Sequence, residues 1–255
     1  MEYKFKDDVK LFMVFDILGD TERTGPHLWQ VDRFRLEDVK NHVLDLLLLV
    51  RILKKYLPDN LDYNKVTDYI LYHDLPEAIT GDITKFEGVS DEEIKRVTDL
   101  AISYLDEKFN SGMNIGQIIR DYEGRIDLES KVVKMLDSLH SSTTFIKYEN
   151  ERHIDTENPN IISELRQMPF VSERIEAGYD VADIFFEFHM NKISFSEDEC
   201  EKYGISIDDA NKIANVIRGF GYEIYSQKVN GTLSDVKKDF PAEAMVYNRN
   251  SNNGS

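Results

Sequence analysis

The chain has 255 residues, 41% of them hydrophobic and 31% charged, which is the balance of a soluble globular protein with a substantial buried core. Its formal net charge of −17 argues against a general nucleic-acid or anionic-membrane binder, because such partners are repelled at long range. A small phosphorylated substrate stays open, since a bound metal and a few local cations can invert the potential inside a cleft.

The N-terminal stretch MEYKFKDDVKLF carries acids and lacks the continuous apolar core of a signal peptide. The most apolar run, VLDLLLLVRIL at 43–53, is broken by Asp45 and Arg51 and is too short to span a bilayer. It reads as a buried helix from Val39 to Leu57, with Val43, Leu46, Leu47, Val50, Leu53 and Leu57 recurring at three- and four-residue steps. Pro58 closes it. A second helix is predicted from Asn64 to Leu75, with Val66, Tyr69, Ile70 and His73 on one side, ending or kinking at Pro76. Ser90 opens a third with a capping box to Glu93, and Ile94, Val97, Ala101 and Tyr104 or Leu105 form its inner face. Gly112 and Gly116 mark a loop. A fourth helix starts near Asp127 and carries Val132, Val133, Leu136, Leu139 and Phe145.

Two more helical patterns follow, at 171–190 and 207–227, and the aromatic stretch DIFFEFHM (183–190) reads as a core or interface face. No alternating strand series and no internal repeat is visible, so the predicted fold is all-α. The tail beyond 230 is polar and reads as disordered. Cys200 is the single cysteine, which excludes an internal disulfide and a thiolate metal cage and fits a cytoplasmic protein.

The chemistry concentrates in YHDLPEAITGD, residues 72–82, where an imidazole and three carboxylates follow an apolar run. His73 and Asp74 are helix neighbours and leave the axis about 100° apart, so they can converge on one ion. Glu77 lies within a turn of both. His42 sits in the first long helix, and Asp137 is a carboxylate among the core positions of the fourth, costly to bury unless paired or ligating. Two histidines and two aspartates suit Mn, Co, Fe, Ni or Zn, with Mg possible. Spacing by itself leaves open whether these four act together. His140, three residues after Asp137, reads as a helix-surface or core histidine.

The order His42, His73-Asp74, Asp137 resembles the H…HD…D signature of the HD-domain phosphohydrolases. RLEDVKNHV (35–43) is similar to the entry into the first ligand helix of the bacterial 5′-deoxynucleotidases and their relatives. YHDLPEAITGDI (72–83) resembles their H-D-x-x-E-x-x-x-G-D run, and ESKVVKMLDSL (129–139) resembles the helix delivering the last aspartate. The similarity covers roughly residues 10–150.

The resemblance implies an HD-domain helical bundle with additional C-terminal helices. Residues 1–155 would form the phosphohydrolase core, 156–230 a helical extension packed on it, and 231–255 a disordered tail. It further implies one divalent ion held by His42, His73, Asp74 and Asp137, with Glu77 as catalytic carboxylate and Asp82 as a substrate-side acid. ERTGPHLWQVDRFR (22–35) lies where the nucleotidases hold phosphate and exclude ribose with an arginine and a tryptophan. Arg23, Trp29, Arg33 and Arg35 are the candidates there, although no adjacent Arg-Trp pair occurs, and Lys85 is a further candidate phosphate contact. The implied activity is hydrolysis of the 5′-phosphate of (deoxy)nucleoside monophosphates, the deoxy forms being the first candidates. The alternatives are a deoxynucleoside triphosphate triphosphohydrolase and a nucleotide-binding regulator of weak activity. The implied partner is a small nucleotide, with a homodimer compatible with the aromatic face and neither nucleic acid nor membrane expected.

Overall fold

The structure is a computed structural model describing residues 6–28, 31, 36–84, 88–109, 112–150, 159, 162–163, 171–178 and 181–231. The helices are α1 (Lys6–Leu18), α2 (Thr24–Leu28), α3 (Val39–Leu53), α4 (Tyr63–Tyr72), α5 (Glu77–Thr80) and α6 (Asp91–Lys108). They continue with α7 (Ile115–Glu123), α8 (Leu128–Asn150), α9 (Val171–Glu176), α10 (Val181–Asn191), α11 (Glu197–Tyr203) and α12 (Ile207–Val229). The fold is all-α; among the described residues extended pairing is confined to an isolated antiparallel bridge between Glu22 and Asp38. No helix of the described residues is long and apolar enough to cross a membrane.

Helix α8 is the axis. Its buried residues Val132, Val133, Leu136 and Leu139 pack between α3 and α4 on one side and α10 and α12 on the other. Phe186 and Met190 of α10 and Ile213 and Ile217 of α12 belong to the same apolar cluster as Val43, Leu46 and Ile70. The aromatic stretch is therefore core: Phe185 stacks on Phe145 with centroids 4.2 Å apart, and Phe186 on Tyr225 at 4.8 Å. A second cluster joins α1, α6 and α7 through Leu11, Leu18, Ile102, Leu105, Ile115 and Ile119.

Local chemistry sets the elements that matter for the site. Asp38 caps α3 by accepting from Asn41 N at 2.8 Å, and the buried face then runs Val39, His42, Val43, Leu46, Val50, Leu53. The period that buries Val43 and Leu46 therefore buries His42 with them. Asp62 caps α4, which ends at Tyr72 because Pro76 has no amide to continue the ladder. His73 occupies the C-cap in the right-handed helical region, and the chain restarts as α5 at Glu77.

Several details differ from the sequence reading. Gly116, expected with Gly112 to mark a loop, lies inside the first turn of α7. A carboxylate oxygen of Asp106 from α6 accepts from Gly116 N at 2.8 Å, and a side chain at 116 would occupy the space of that carboxylate. Ser90 caps α6 through Glu93 N, but Glu93 turns its carboxylate to Arg96, so the reciprocal half of the box is not made. The complete capping box is at Ser196 and Glu199, opening α11. On α6 Leu105 is buried and Tyr104 exposed. The pattern expected at 171–190 is two helices, α9 and α10. The boundary expected near 155 and the tail from 232 onward lie outside the described residues.

Candidate metal centre

Three helices converge at one point. α3 brings His42, the end of α4 brings His73 and Asp74, and α8 brings Asp137. His73 Nδ1 lies 2.9 Å from the carbonyl oxygen of Ile70, which only accepts, so this ring nitrogen carries the proton and Nε2 of a neutral ring is bare. His73 Nε2 is 3.2 Å from Asp74 Oδ2, and His42 Nε2 is 3.5 Å from the same oxygen and 3.4 Å from Asp137 Oδ1. Both Nε2 atoms are buried without a hydrogen-bond partner. Burial, followed by the charge of Arg23, pushes the pKa of His42 far below its ordinary range, so the ring is neutral.

Bare imidazole nitrogens facing carboxylate oxygens across 3.2–3.5 Å repel each other unless a cation stands between them. The spacing matches one. With metal–ligand bonds of about 2.1 Å, neighbouring ligand atoms sit about 3.0 Å apart in an octahedron and about 3.4 Å apart in a tetrahedron. The ligand atoms of His42, His73 and Asp137 lie within 4.8 Å of one another. The donor set, two nitrogens and two carboxylates, suits a borderline divalent ion.

Charge around the centre is arranged unevenly. Burial works against the Asp137 carboxylate, but the charge of Lys134, joined by that of Arg23, holds its pKa well below the usual range. Lys134 Nζ is 2.7 Å from Asp137 Oδ2, and that carboxylate is the main reason the ammonium is held charged. Glu77 is the opposite case. Its carboxyl is buried, Oε2 has no hydrogen-bond partner, and burial followed by the charges of Asp74 and Asp82 raises its pKa well above the ordinary carboxylate value. Beside it opens a cleft of about 550 Å³, lined by Thr21, Thr24, Glu77, Thr80, Gly81 and Asp82.

Arg23 reaches the centre because its backbone is pinned. Arg23 N donates to Glu37 O at 3.0 Å and Val39 N to Thr21 O at 2.9 Å, either side of the Glu22–Asp38 bridge. The guanidinium then lies 3.8 Å from Asp74 Oδ2 and 4.0 Å from Asp82 Oδ2. Burial disfavours its charge, yet Asp82, Asp74, Asp137 and Glu77 outweigh that and raise its pKa. Gly81, at φ 74°, turns the chain after α5 so that Asp82 Oδ2 accepts from Thr24 N at 2.7 Å, and the Thr24 hydroxyl donates to the Asp82 carbonyl. Asp82 thus ties the Arg23 segment to the turn after Glu77. Trp29, Arg33, Arg35 and Lys85 lie outside the described residues.

Sequence reasoning passed over Lys134 and Tyr122, whose hydroxyl is buried without a hydrogen-bond partner and whose ring meets His73 edge-on at 5.0 Å. It also set His140 aside, although its ring packs against His42 at 4.6 Å. The available signal was helical spacing: Lys134 and His140 lie one turn before and one turn after Asp137.

The chain is all-helical, and among its described residues buried histidines and an aspartate are grouped so that they could hold one metal ion. The chain belongs to the HD-domain family, whose sequence model, described as "HD domain", matches residues 15–168. It is 25% identical over 121 residues to the human 5′-deoxynucleotidase HDDC2, a match covering 47% of this chain and 58% of that protein. The chain thus spans a little over half the length of this curated relative. Among solved structures it is similar to a predicted metal-dependent phosphohydrolase from Magnetospirillum magnetotacticum MS-1. That likeness has a TM-score of 0.55 at 13% identity and covers 89% of this chain and 94% of the other. A conserved hypothetical protein from Pyrococcus furiosus aligns at a TM-score of 0.47 and 21% identity, over 69% of this chain and 98% of its own.

Proposed function

We propose that the chain hydrolyses the 5′-phosphate of nucleoside monophosphates, deoxynucleotides foremost, using one divalent ion held by His42, His73, Asp74 and Asp137. The observation that carries this reading is the Glu77 carboxyl, whose Oε2 is buried without a hydrogen-bond partner and which lines an open cleft within the field of Asp74. When bound, a divalent ion polarises a phosphoryl oxygen and acidifies the attacking water.

The side chains supply the rest. Glu77 takes the proton of the water, a task suited to a carboxylate whose basicity is raised by burial and by Asp74 and Asp82. Water oxygen bonds to phosphorus, the bond from phosphorus to the 5′-oxygen breaks, and its electron pair leaves with the nucleoside, which receives the proton. Arg23 and Lys134 are cations close to the ligand set that can meet a phosphate there. Asp82 fixes Arg23 and Thr24 beside the cleft that Glu77 lines. Trp29, Arg33, Arg35 and Lys85 remain the candidates for holding base and phosphate. The human relative's name, 5′-deoxynucleotidase, supports the same substrate class.

The test is a product-resolved screen of deoxy- and ribonucleoside mono-, di- and triphosphates with Mn²⁺, Co²⁺ or Mg²⁺. Orthophosphate from deoxymonophosphates, lost in His73→Ala and Glu77→Ala, is the expected result. Intact triphosphate released from deoxytriphosphates would reassign the substrate, and nucleotide binding without turnover would leave a regulator.

A further inference from the structure

We propose that His140 is a positioning residue for the ligand His42, and that Glu37 and Asp45 fix its tautomer, forming a relay from carboxylate through two imidazoles to the metal centre. The inference rests on the metal-centre reading of His42 and extends it one shell outward.

His42 Nδ1 and His140 Nδ1 are 2.9 Å apart, a hydrogen bond in which one nitrogen donates and the other accepts. The far side of His140 decides which. Its Nε2 lies 3.3 Å from Asp45 Oδ2 and 3.4 Å from Glu37 Oε1. The Asp45 side chain is half-exposed, so its carboxylate is ionised at neutral pH and only accepts. A bare Nε2 there would set acceptor against acceptor. The proton of His140 therefore belongs on Nε2, which leaves Nδ1 as a lone-pair acceptor. His42 must then donate from Nδ1, and its own Nε2, the atom aimed at Asp74 and Asp137, is bare and ready to ligate. The Thr144 hydroxyl, 3.5 Å from His140 Nδ1, offers a second donor to the same lone pair.

The two ligand histidines are thus oriented by different means. His73 is locked by a backbone carbonyl within its own helix turn, independent of any side chain. His42 depends on a side chain of α8, three residues after the ligand Asp137 on the same helix. One helix therefore delivers both a ligand and the group that aims another ligand. Buried partners of this kind set ring orientation and ligand basicity in metal sites.

The experiment measures Co²⁺ affinity of the full chain by titration calorimetry for wild type, His140→Leu and His140→Gln. Leu removes the acceptor, and Co²⁺ binding is expected to weaken by about 10–100-fold. Gln offers a carbonyl to His42 and an amide N–H to Asp45 or Glu37, so its affinity should return near the wild-type value. Leu binding as tightly as wild type, or Gln binding no better than Leu, overturns the relay. Wild type that binds no Co²⁺ would instead remove the metal centre itself, a distinct failure. A readout that needs no variant is nitrogen–proton correlation NMR of the metal-free wild type. His42 should carry its proton on Nδ1, and a proton settled on Nε2 overturns the assignment.

Discussion

Replacing Asp137 by asparagine tests the ligand set with little change of shape. In the wild type, an ion that binds only the folded chain stabilises it by about 2.7 kcal/mol at a concentration one hundred times its dissociation constant. With an unfolding entropy of about 2 cal/mol/K per residue over 255 residues, that is a rise of about 5 °C in Tm. Asparagine keeps an oxygen near His42 Nε2 but removes a charge at contact distance from the cation. Taken as only two unit charges at about 4 Å and an effective dielectric constant of about 20, that charge contributes about 4 kcal/mol, a lower bound for a divalent ion and close to a thousandfold in affinity. At the same ion concentration the Tm rise should vanish. The metal-free variant loses the 2.7 Å contact from Lys134 but also sheds repulsion from Asp74, so its own Tm should move by only about 2 °C. Thermal unfolding followed by near-ultraviolet circular dichroism, with chelator and with Mn²⁺, reads both numbers. A variant that keeps the full ion-induced rise would refute Asp137 as a ligand.

Glu77→Gln should lower kcat by about 10²–10⁴-fold while leaving the Mn²⁺-induced Tm rise in place, because the residue acts on water rather than holding the ion. Buried His189 is held neutral, first by burial and then by Lys192, so its folded pKa lies well below the unfolded value and its stabilising contribution fades as pH falls below about 6.5. Over that range His189→Gln should flatten the acid limb of metal-free stability by about 1.4 kcal/mol per pH unit, read from urea unfolding at stepped pH. His42 adds loss in the same direction and Glu77, raised, opposes it, so both remain in the background of that comparison. On α12, Gly219→Ala meets nothing within 4 Å and should gain about 1 kcal/mol from helix propensity. Two residues on, Gly221→Ala would meet Met190 Sδ at 2.8 Å and Leu139 Cδ1 at 2.9 Å, both in the core, and should lose about 1 kcal/mol net by the same measurement.

Much of the architecture follows from apolar periodicity. α3 and α8 were legible because their buried residues repeat at helical steps, and His42 was legible as an inward residue because it falls in register with Val39, Val43 and Leu46. Helix α7 was not, since its glycine looks like a loop signal until Asp106 is seen filling the space above it. The capping box was assigned to Ser90 because side-chain competition from Arg96 does not show in the motif. Around the centre, the residue types at 42, 73, 74 and 137 carry the chemistry in the sequence itself. His140 gains meaning only once α8 is seen beside α3, because its partners His42, Glu37 and Asp45 come from elsewhere in the chain, whereas Lys134 pairs with Asp137 one turn along its own helix. Arg23 depends on the bridge between Glu22 and Asp38, a tertiary pairing between two short extended segments that no local pattern announces.

The most direct test of the account follows the oxygen. The Mn²⁺-loaded chain would be given a deoxynucleoside 5′-monophosphate in water labelled with the heavy oxygen isotope, and both products weighed by mass spectrometry. Attack of water on phosphorus, with Glu77 as the base, predicts one labelled oxygen in the orthophosphate and none in the nucleoside, with release lost in Glu77→Gln. Label in the nucleoside, or undiminished release by Glu77→Gln, would contradict it.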